Sequence, residues 1–146
     1  MAAYHIRCAT ECDLEACTAI ATDAFHIYTA ERRREHLRQL IPHKNVLLAE
    51  EGAVVLGYAS FLTNWFNSTF LKLVVVDAAA RRRGVAGTLI ETIAREHCSS
   101  GRFFSSTEAD NLPSIAMHEK LGFKPSGFLD NLPQPERELF YFRKVH

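Results

Sequence analysis

The feature that most constrains this chain is an apolar strand that runs into a basic loop and then into a helix. Residues 69–76 (TFLKLVVV) have the apolar, β-branched composition of a buried strand, and residues 85–98 show helical spacing. The loop between them carries three arginines and Gly84, and Gly87 follows in the first helical turn; both glycines permit unusual backbone dihedrals. A helix that starts at such a loop points its unpaired N–H groups and positive dipole end at it, and phosphates bind there.

The segment is therefore interpreted as a pyrophosphate-binding loop. Its candidate residues are Arg81, Arg82, Arg83, Gly84, Val85, Ala86, Gly87 and Thr88. The arginines would add positive charge, and the backbone amides would point their N–H groups at the phosphates. Thr88 would offer a hydroxyl in the first turn of the helix. Spacing alone is equally consistent with a solvent-facing turn between the strand and the helix, in which the arginines have no binding role.

Three nucleotide-binding patterns fit this loop poorly. A P-loop needs a lysine after its last glycine, and no lysine follows Gly87. The dinucleotide fingerprint needs G-x-G-x-x-G, and only G-x-x-G is present. The RNA-clamping G-x-x-G loop joins two helices, whereas here an apolar strand comes first. An RNA-binding module is therefore a minor alternative.

Bulk composition limits the remaining classes. With 146 residues the chain is expected to form a single domain over residues 1–146. Lysine plus arginine equals aspartate plus glutamate at 17 each, which argues against general nucleic-acid or membrane-surface binding. The four cysteines lack metal-site spacing, so free thiols and no metal are expected. No apolar run approaches the roughly 18 residues of a membrane span, and a soluble, cytoplasmic protein is predicted.

Periodicity predicts the order β-α-α-β-β-β-α-β-α-β-β, an α+β domain with one mixed sheet. Strand 4–7 comes first, and a helix opens at Thr10 with a Thr-x-x-Asp pattern resembling a capping box. A charged helix over 29–40 is followed by strands on either side of a Glu51-Gly52 turn and by a second turn at Asn67-Ser68. After the central helix come strand 103–107, helix 111–122 and two closing strands, the last at 138–145.

Two motifs in this order resemble the GNAT superfamily of N-acetyltransferases. Residues 81–86 match R-x-x-G-x-A, and residues 111–127 (NLPSIAMHEKLGFKPSG) resemble the segment N-x-x-(A/S)-x-x-x-Tyr-x-x-x-Gly-Phe. The resemblance covers residues 70–127. It implies a mostly antiparallel mixed sheet flanked by helices, acetyl-coenzyme A as co-substrate, and acetyl transfer to a primary amine by direct attack in a ternary complex.

The resemblance also implies roles for individual residues. The backbone of Val74, Val75 and Val76 would bind the pantetheine amides like an added strand, and the 82–87 amides would bind the pyrophosphate. Asn111 would contact the pantetheine arm besides capping its helix. His118 stands where the family usually has a tyrosine that protonates the leaving thiolate. The alternative for His118 is a polar residue on a half-exposed helix.

The resemblance leaves the general base and the acceptor less defined. The family's strand glutamate is missing, so Glu108 is the candidate base, with Asp77, Asp110 or a water relay as alternatives. Four aromatic residues are expected to line the acceptor pocket, namely Phe25, Tyr28, Trp65 and Tyr141. The acceptor is expected to be a small-molecule or peptide amine, and a homodimer is left open. A catalytically silent coenzyme A-binding regulatory domain is the alternative to an enzyme.

Overall fold

The structure is a computed structural model, and it describes residues 3–20 and 29–146. Within those residues the chain forms seven strands and four α-helices in the predicted order. They are β1 (His5–Cys8), α1 (Leu14–Thr18), α2 (Ala30–Leu40), β2 (Val46–Glu51), β3 (Val54–Trp65), β4 (Ser68–Val76), α3 (Val85–Glu96), β5 (Arg102–Glu108), α4 (Leu112–Lys120), β6 (Lys124–Leu129) and β7 (Glu138–Lys144). The helix predicted from Thr10 begins as a 3-10 turn at Glu11–Asp13 and ends at Thr18, with Ala19 as its C-cap, which is earlier than the predicted spacing to Phe25. Positions 21–25 of that prediction lie outside the described residues.

The strands form one mixed sheet in the order β1-β2-β3-β4-β5-β7-β6. The β1–β2, β2–β3, β5–β7 and β6–β7 pairs are antiparallel. The β4–β5 pair is parallel, and α3 provides the crossover connection that a parallel pair requires. Its register covers Thr69–Leu71 against Phe103–Ser105, and β4 continues beyond it to Val76. The predicted mixed, mostly antiparallel sheet is confirmed.

The chain divides into two compact units. The first unit comprises residues 1–61 and 73–93, as far as they are described. Its core packs apolar positions of α1 and α2 against strands β2, β3 and β4, and includes Cys17, Leu37, Leu48, Tyr58 and Val75. The second unit comprises residues 62–72 and 94–146, with Phe103 and Phe123 buried 5.2 Å apart between ring centroids.

A charged network fixes the start of the first unit. The Arg7 guanidinium donates to both Asp13 oxygens at 2.8 and 2.9 Å and to Glu50 at 2.8 Å. Asp13 also accepts the Thr10 N–H at 2.7 Å, which is the reciprocal bond of the predicted capping pattern. Chiefly because Arg7 donates to it, the pKa of the Asp13 carboxyl falls to about 2. This network ties β1 and β2 to the turn that opens α1.

The helices are short, and their caps follow the sequence. Thr29 accepts the Arg32 N–H at 3.1 Å and caps α2, which gives way at Ile41–His43 to a 3-10 turn containing Pro42. The longest described helix, α3, has 12 residues. None of the helices in the described ranges is long and apolar enough to cross a membrane.

The second predicted turn is shifted by one residue. Phe66 and Asn67, with φ of 48° and 57°, form the connection between β3 and β4, and Ser68 already belongs to β4. A two-residue hairpin turn that matches strand twist needs positive φ at both central positions, which asparagine tolerates and serine rarely adopts. The prediction of Asn67-Ser68 was therefore wrong by one position.

All four cysteines are free thiols, as predicted. Cys17 and Cys98 are buried, whereas Cys12 is exposed. Burial raises the pKa of the Cys17 thiol to about 12, which keeps it protonated and unreactive at neutral pH.

Candidate functional site

The loop between β4 and α3 has the backbone of an anion-binding helix start. After β4, Asp77 caps a 3-10 turn at Ala78–Ala80 by accepting the Ala79 N–H at 2.9 Å. The Thr88 N–H then donates to the Gly84 carbonyl at 2.9 Å, which makes Gly84 the N-cap of α3. The amides of residues 85–87 thus precede the first intrahelical hydrogen bond and point out of the helix end. Asp77 acts here as a capping residue.

Two positive φ angles shape this loop. Arg82 has φ of 67° and Gly84 has φ of 76°, so left-handed residues alternate with right-handed or extended ones. Such alternation turns successive N–H groups toward one concave side, where an anion fits. A Cβ on Gly84 would meet only the Tyr4 hydroxyl, at 4.0 Å. Glycine is therefore favoured at this position by its φ rather than by lack of space among protein atoms.

Among the three arginines of the loop, Arg83 is engaged in an ion pair. Its guanidinium contacts both Glu51 carboxylate oxygens, at 2.7 and 3.2 Å, and lies 5.7 Å from the centroid of the Tyr4 ring. The hydrogen bond from Arg83 lowers the pKa of Glu51. Arg81 and Arg82 are exposed. The charge of Arg83 is thus partly neutralised before any phosphate binds.

The end of β4 is held close to β3. A Cβ on Gly57 would stand 2.7 Å from the Val75 carbonyl oxygen, and the Asp77 N–H donates to the Leu56 carbonyl at 2.8 Å. Val75 lies in the core, whereas Val74 and Val76 are half-buried. The apolar run of valines predicts burial on both faces of the strand; residues 68–71 of β4 are all buried, but burial alternates along residues 72–76.

The predicted cap of α4 is present. The Asn111 side-chain oxygen accepts the Ser114 N–H at 3.2 Å, and Pro113 stands in the first turn. Gly122, with φ of 84°, follows the end of the helix. These signals fix the face of α4 that carries His118.

His118 is enclosed by hydrogen bonds and aromatic rings. Its Nδ1 lies 2.7 Å from the Ser114 carbonyl oxygen, and its Nε2 lies 2.7 Å from Ser105 Oγ. A carbonyl can only accept, so the neutral ring carries its proton on Nδ1 and accepts the Ser105 hydroxyl at Nε2. The ring stacks on Tyr141 at 4.6 Å and meets Phe123 edge-on at 5.4 Å.

Burial decides the protonation of this histidine. His118 is 2% exposed, and desolvation lowers its pKa even though the Ser114 carbonyl favours the charged form. The ring is therefore neutral at pH 7, and its single N–H is used by Ser114. The alternative of a half-exposed helix residue does not describe this environment.

The candidate base lies in an acidic group at the end of β5. Carboxylate oxygens of Glu108, Asp110 and Glu136 lie within 4.8 Å of one another. Glu138, paired with Glu108 across β5 and β7, accepts hydrogen bonds from Ser106 at 2.6 Å and Gln134 at 3.2 Å. The resulting negative potential suits a cationic amine.

The candidate acceptor residues fall into separate aromatic groups. Trp65 packs against Phe70 and Phe104, with centroids 4.6 and 5.2 Å away. Tyr141 is 3% exposed, is stacked on His118, and has a pKa raised mainly by burial. Phe25 and Tyr28 lie outside the described residues.

The predicted residues are thus distributed over both units. All candidate coenzyme contacts from 74 to 88 belong to the first unit, whereas Glu108, Asn111 and His118 belong to the second. Sequence reasoning missed Tyr4, Glu51 and Ser105. The alternation of strand 103–107 places Ser105 on the buried face with Phe103, and that was the available signal for its role.

Comparisons with known proteins match this architecture. Residues 14–123 match the model of the acetyltransferase (GNAT) family. An L-methionine sulfoximine/L-methionine sulfone acetyltransferase from Salmonella typhimurium is 34% identical over 93 residues, which cover 59% of this chain and 53% of that protein. The chain thus spans about half the length of this curated relative.

Solved structures agree over nearly the whole length. A GNAT-family acetyltransferase from Bacillus cereus shares 27% identity with a TM-score of 0.85, covering 98% of both chains. A ribosomal-protein-alanine N-acetyltransferase from Brucella melitensis shares 30% identity with a TM-score of 0.74, covering 97% of this chain and 99% of that one.

Proposed function

This chain belongs to the acetyltransferase (GNAT) family, and we propose that it acetylates a primary amine by direct attack on acetyl-coenzyme A within a ternary complex. Family membership makes it an acyltransferase that uses acetyl-coenzyme A. The observation that carries the proposal is the R-x-x-G-x-A loop, which ends in a Gly84-capped helix with outward amides. The alternative of a catalytically silent domain gains no support from the comparisons.

In this proposal the coenzyme is held mainly by backbone. The amides of residues 82–87 take the pyrophosphate, and exposed Arg81 and Arg82 add charge. The pantetheine amides extend the sheet along Val74–Val76, and Asn111 contacts the same arm. Arg83 contributes only as far as phosphate can compete with Glu51 for it.

The reaction forms a C–N bond and breaks the thioester C–S bond. The amine must first lose a proton, and Glu108 within its acidic group is the proposed base. The nitrogen then attacks the carbonyl carbon, and the tetrahedral intermediate expels the coenzyme A thiolate. The attacking nitrogen, now positively charged, gives up a second proton as the intermediate collapses, and the thiolate takes up one proton. An ammonium substrate therefore releases one proton net in each transfer.

We propose His118 as the proton source for the thiolate. Its hydrogen bonds allow this only when the ring carries a proton on Nε2. The neutral ring has its N–H on the Ser114 carbonyl and accepts the Ser105 hydroxyl. Donation through Ser105 therefore requires that the ring first be protonated at Nε2, which its lowered pKa disfavours at pH 7. Ser105 and His118 are each 2% exposed, so a proton passing through them has little contact with solvent. Water at the thiolate is therefore the second candidate proton source.

Alanine and tyrosine at position 118 separate these routes. If His118 supplies the proton, His118→Ala lowers kcat at least about tenfold with little change in KM for acetyl-coenzyme A, and His118→Tyr restores much of the rate. A near-parental kcat for a folded His118→Ala variant across the working pH range would assign the proton to water.

We propose a small-molecule or peptide amine as the acceptor. One relative acts on amino-acid analogues and another on an alanine of ribosomal protein, and both substrates present an α-amine. Thiol release from acetyl-coenzyme A should be measured with L-methionine sulfone, L-methionine sulfoximine and a peptide that begins with alanine. Mass spectrometry must then show the acetylated amine. Thiol release without acetylated product from any amine would contradict the proposal.

A further inference from the structure

Tyr4 lies far from the phosphate loop in sequence and touches it in the fold. Its hydroxyl oxygen is 3.3 Å from the Arg83 carbonyl oxygen and 3.0 Å from Thr88 Oγ1. Thr88 Oγ1 in turn lies 2.9 Å from the Gly84 carbonyl oxygen. When the Tyr4 hydroxyl donates to the Arg83 carbonyl, the single Thr88 hydroxyl hydrogen is shared between Tyr4 and the Gly84 carbonyl. Tyr4 itself, 79 positions away from Arg83, therefore supplies the hydrogen bond that holds the Arg83 carbonyl.

We infer that Tyr4 is a positioning residue for pyrophosphate recognition, an inference that rests on the proposed function of the loop. In a trans peptide the C=O of one residue and the N–H of the next point to opposite sides. Holding the Arg83 carbonyl toward Tyr4 therefore turns the Gly84 N–H away from Tyr4. The Gly84 carbonyl, bonded to Thr88, likewise turns the Val85 N–H out of the helix end.

The position of Gly84 explains why a brace is useful. Glycine has no Cβ to restrict its dihedrals, so the Arg83–Gly84 peptide can rotate at little cost when nothing holds it. Rotation would present a carbonyl oxygen to the phosphate in place of an N–H. Tyr4 is 9% exposed, and the Arg83 guanidinium lies over its ring, so the hydroxyl is held in place from the protein interior.

The test removes only the hydroxyl. Tyr4→Phe keeps the ring, and Tyr58→Phe is the matched control, because Tyr58 is a fully buried tyrosine in the core of the same unit. Calorimetric titration with coenzyme A gives the dissociation constant, and titration with pantetheine, which lacks the pyrophosphate, gives the reference. Circular dichroism melting verifies that each variant is folded.

We expect Tyr4→Phe to bind coenzyme A about threefold to tenfold more weakly, which is the range for one lost hydrogen bond, with pantetheine binding unchanged. Tyr58→Phe should bind both as the parent does. Parental affinity of Tyr4→Phe for coenzyme A would overturn the inference and leave the loop assignment standing. Equal weakening for both ligands would also overturn it, because the effect would then be general. If the parent binds coenzyme A no better than pantetheine, the pyrophosphate assignment itself fails.

Discussion

Replacing Gly57 with alanine should disturb the strand that we assign to the pantetheine arm. The new Cβ would stand 2.7 Å from the Val75 carbonyl oxygen and 3.2 Å from Val76 Cα, both backbone atoms. Ordinary contact begins at 3.4 Å, so β3 and β4 must separate by about 0.7 Å, the difference 3.4 − 2.7. Overpacking of this kind costs about 1–3 kcal/mol. For a chain of this length that is roughly 3–9 °C in Tm.

Thermal melting and the KM for acetyl-coenzyme A, measured together, test this reasoning. We expect a lower Tm and a KM raised about threefold to tenfold, since the hydrogen bonds offered by the end of β4 would be displaced. Gly127→Ala is the control, because it has φ of 100° and no neighbour within 4 Å. It should lower Tm through backbone strain and leave KM unchanged. A parental Tm for Gly57→Ala would refute the close-approach argument, and a lowered Tm with parental KM would remove the Val75–Val76 backbone from the coenzyme site.

Three further outcomes are expected. Gly84→Val should weaken coenzyme A binding in calorimetry by straining the positive φ of the loop, and unchanged affinity in a folded variant would exclude the loop. Glu51→Gln frees Arg83 and should tighten coenzyme A binding by up to about fivefold at low salt, a small gain because exposed ion pairs are weak. Neutralising Arg82 and Arg83 together should weaken coenzyme A binding and reduce its salt dependence, measured as Kd at two ionic strengths. Burial lowers the pKa of His118 below its usual value near 6.5. Just below that pH the histidine is therefore protonated in the unfolded chain but still neutral in the folded chain. The Tm of the parent should therefore fall as pH drops below about 6.5, and the Tm of His118→Gln, whose side chain does not titrate, should fall less. Equal decreases in Tm would mean that His118 contributes nothing to the pH dependence of stability.

The order of elements could be predicted because it depends on local pattern. The apolar, β-branched run of β4 and the helical spacing of α3 are each readable within one element. Caps such as Thr29 and Asn111 also act within three residues of themselves. The first helix was the exception, since it begins as a 3-10 turn that spacing alone does not reveal.

The contacts that shape the site are not local, and this limited the sequence prediction. Nothing near Tyr4 in the sequence indicates that its hydroxyl reaches Arg83. His118 was read as a donor or as a half-exposed residue because histidine is polar, yet Ser105 and Ser114 satisfy both ring nitrogens and permit its burial. Whether a polar side chain is buried depends on partners that only the fold brings together.

The strand order has a consequence for how the chain is made on the ribosome. β7 is the last strand in sequence, yet it lies between β5 and β6 and pairs with both. Until residues 138–144 have been synthesised, β5 keeps an open edge and β6 has no neighbour to pair with. A chain stopped before Glu138 would expose the strand that carries Phe103 and Phe104 to other chains, and open apolar edges of this kind promote aggregation. The sheet therefore stays incomplete until β7 has left the exit tunnel.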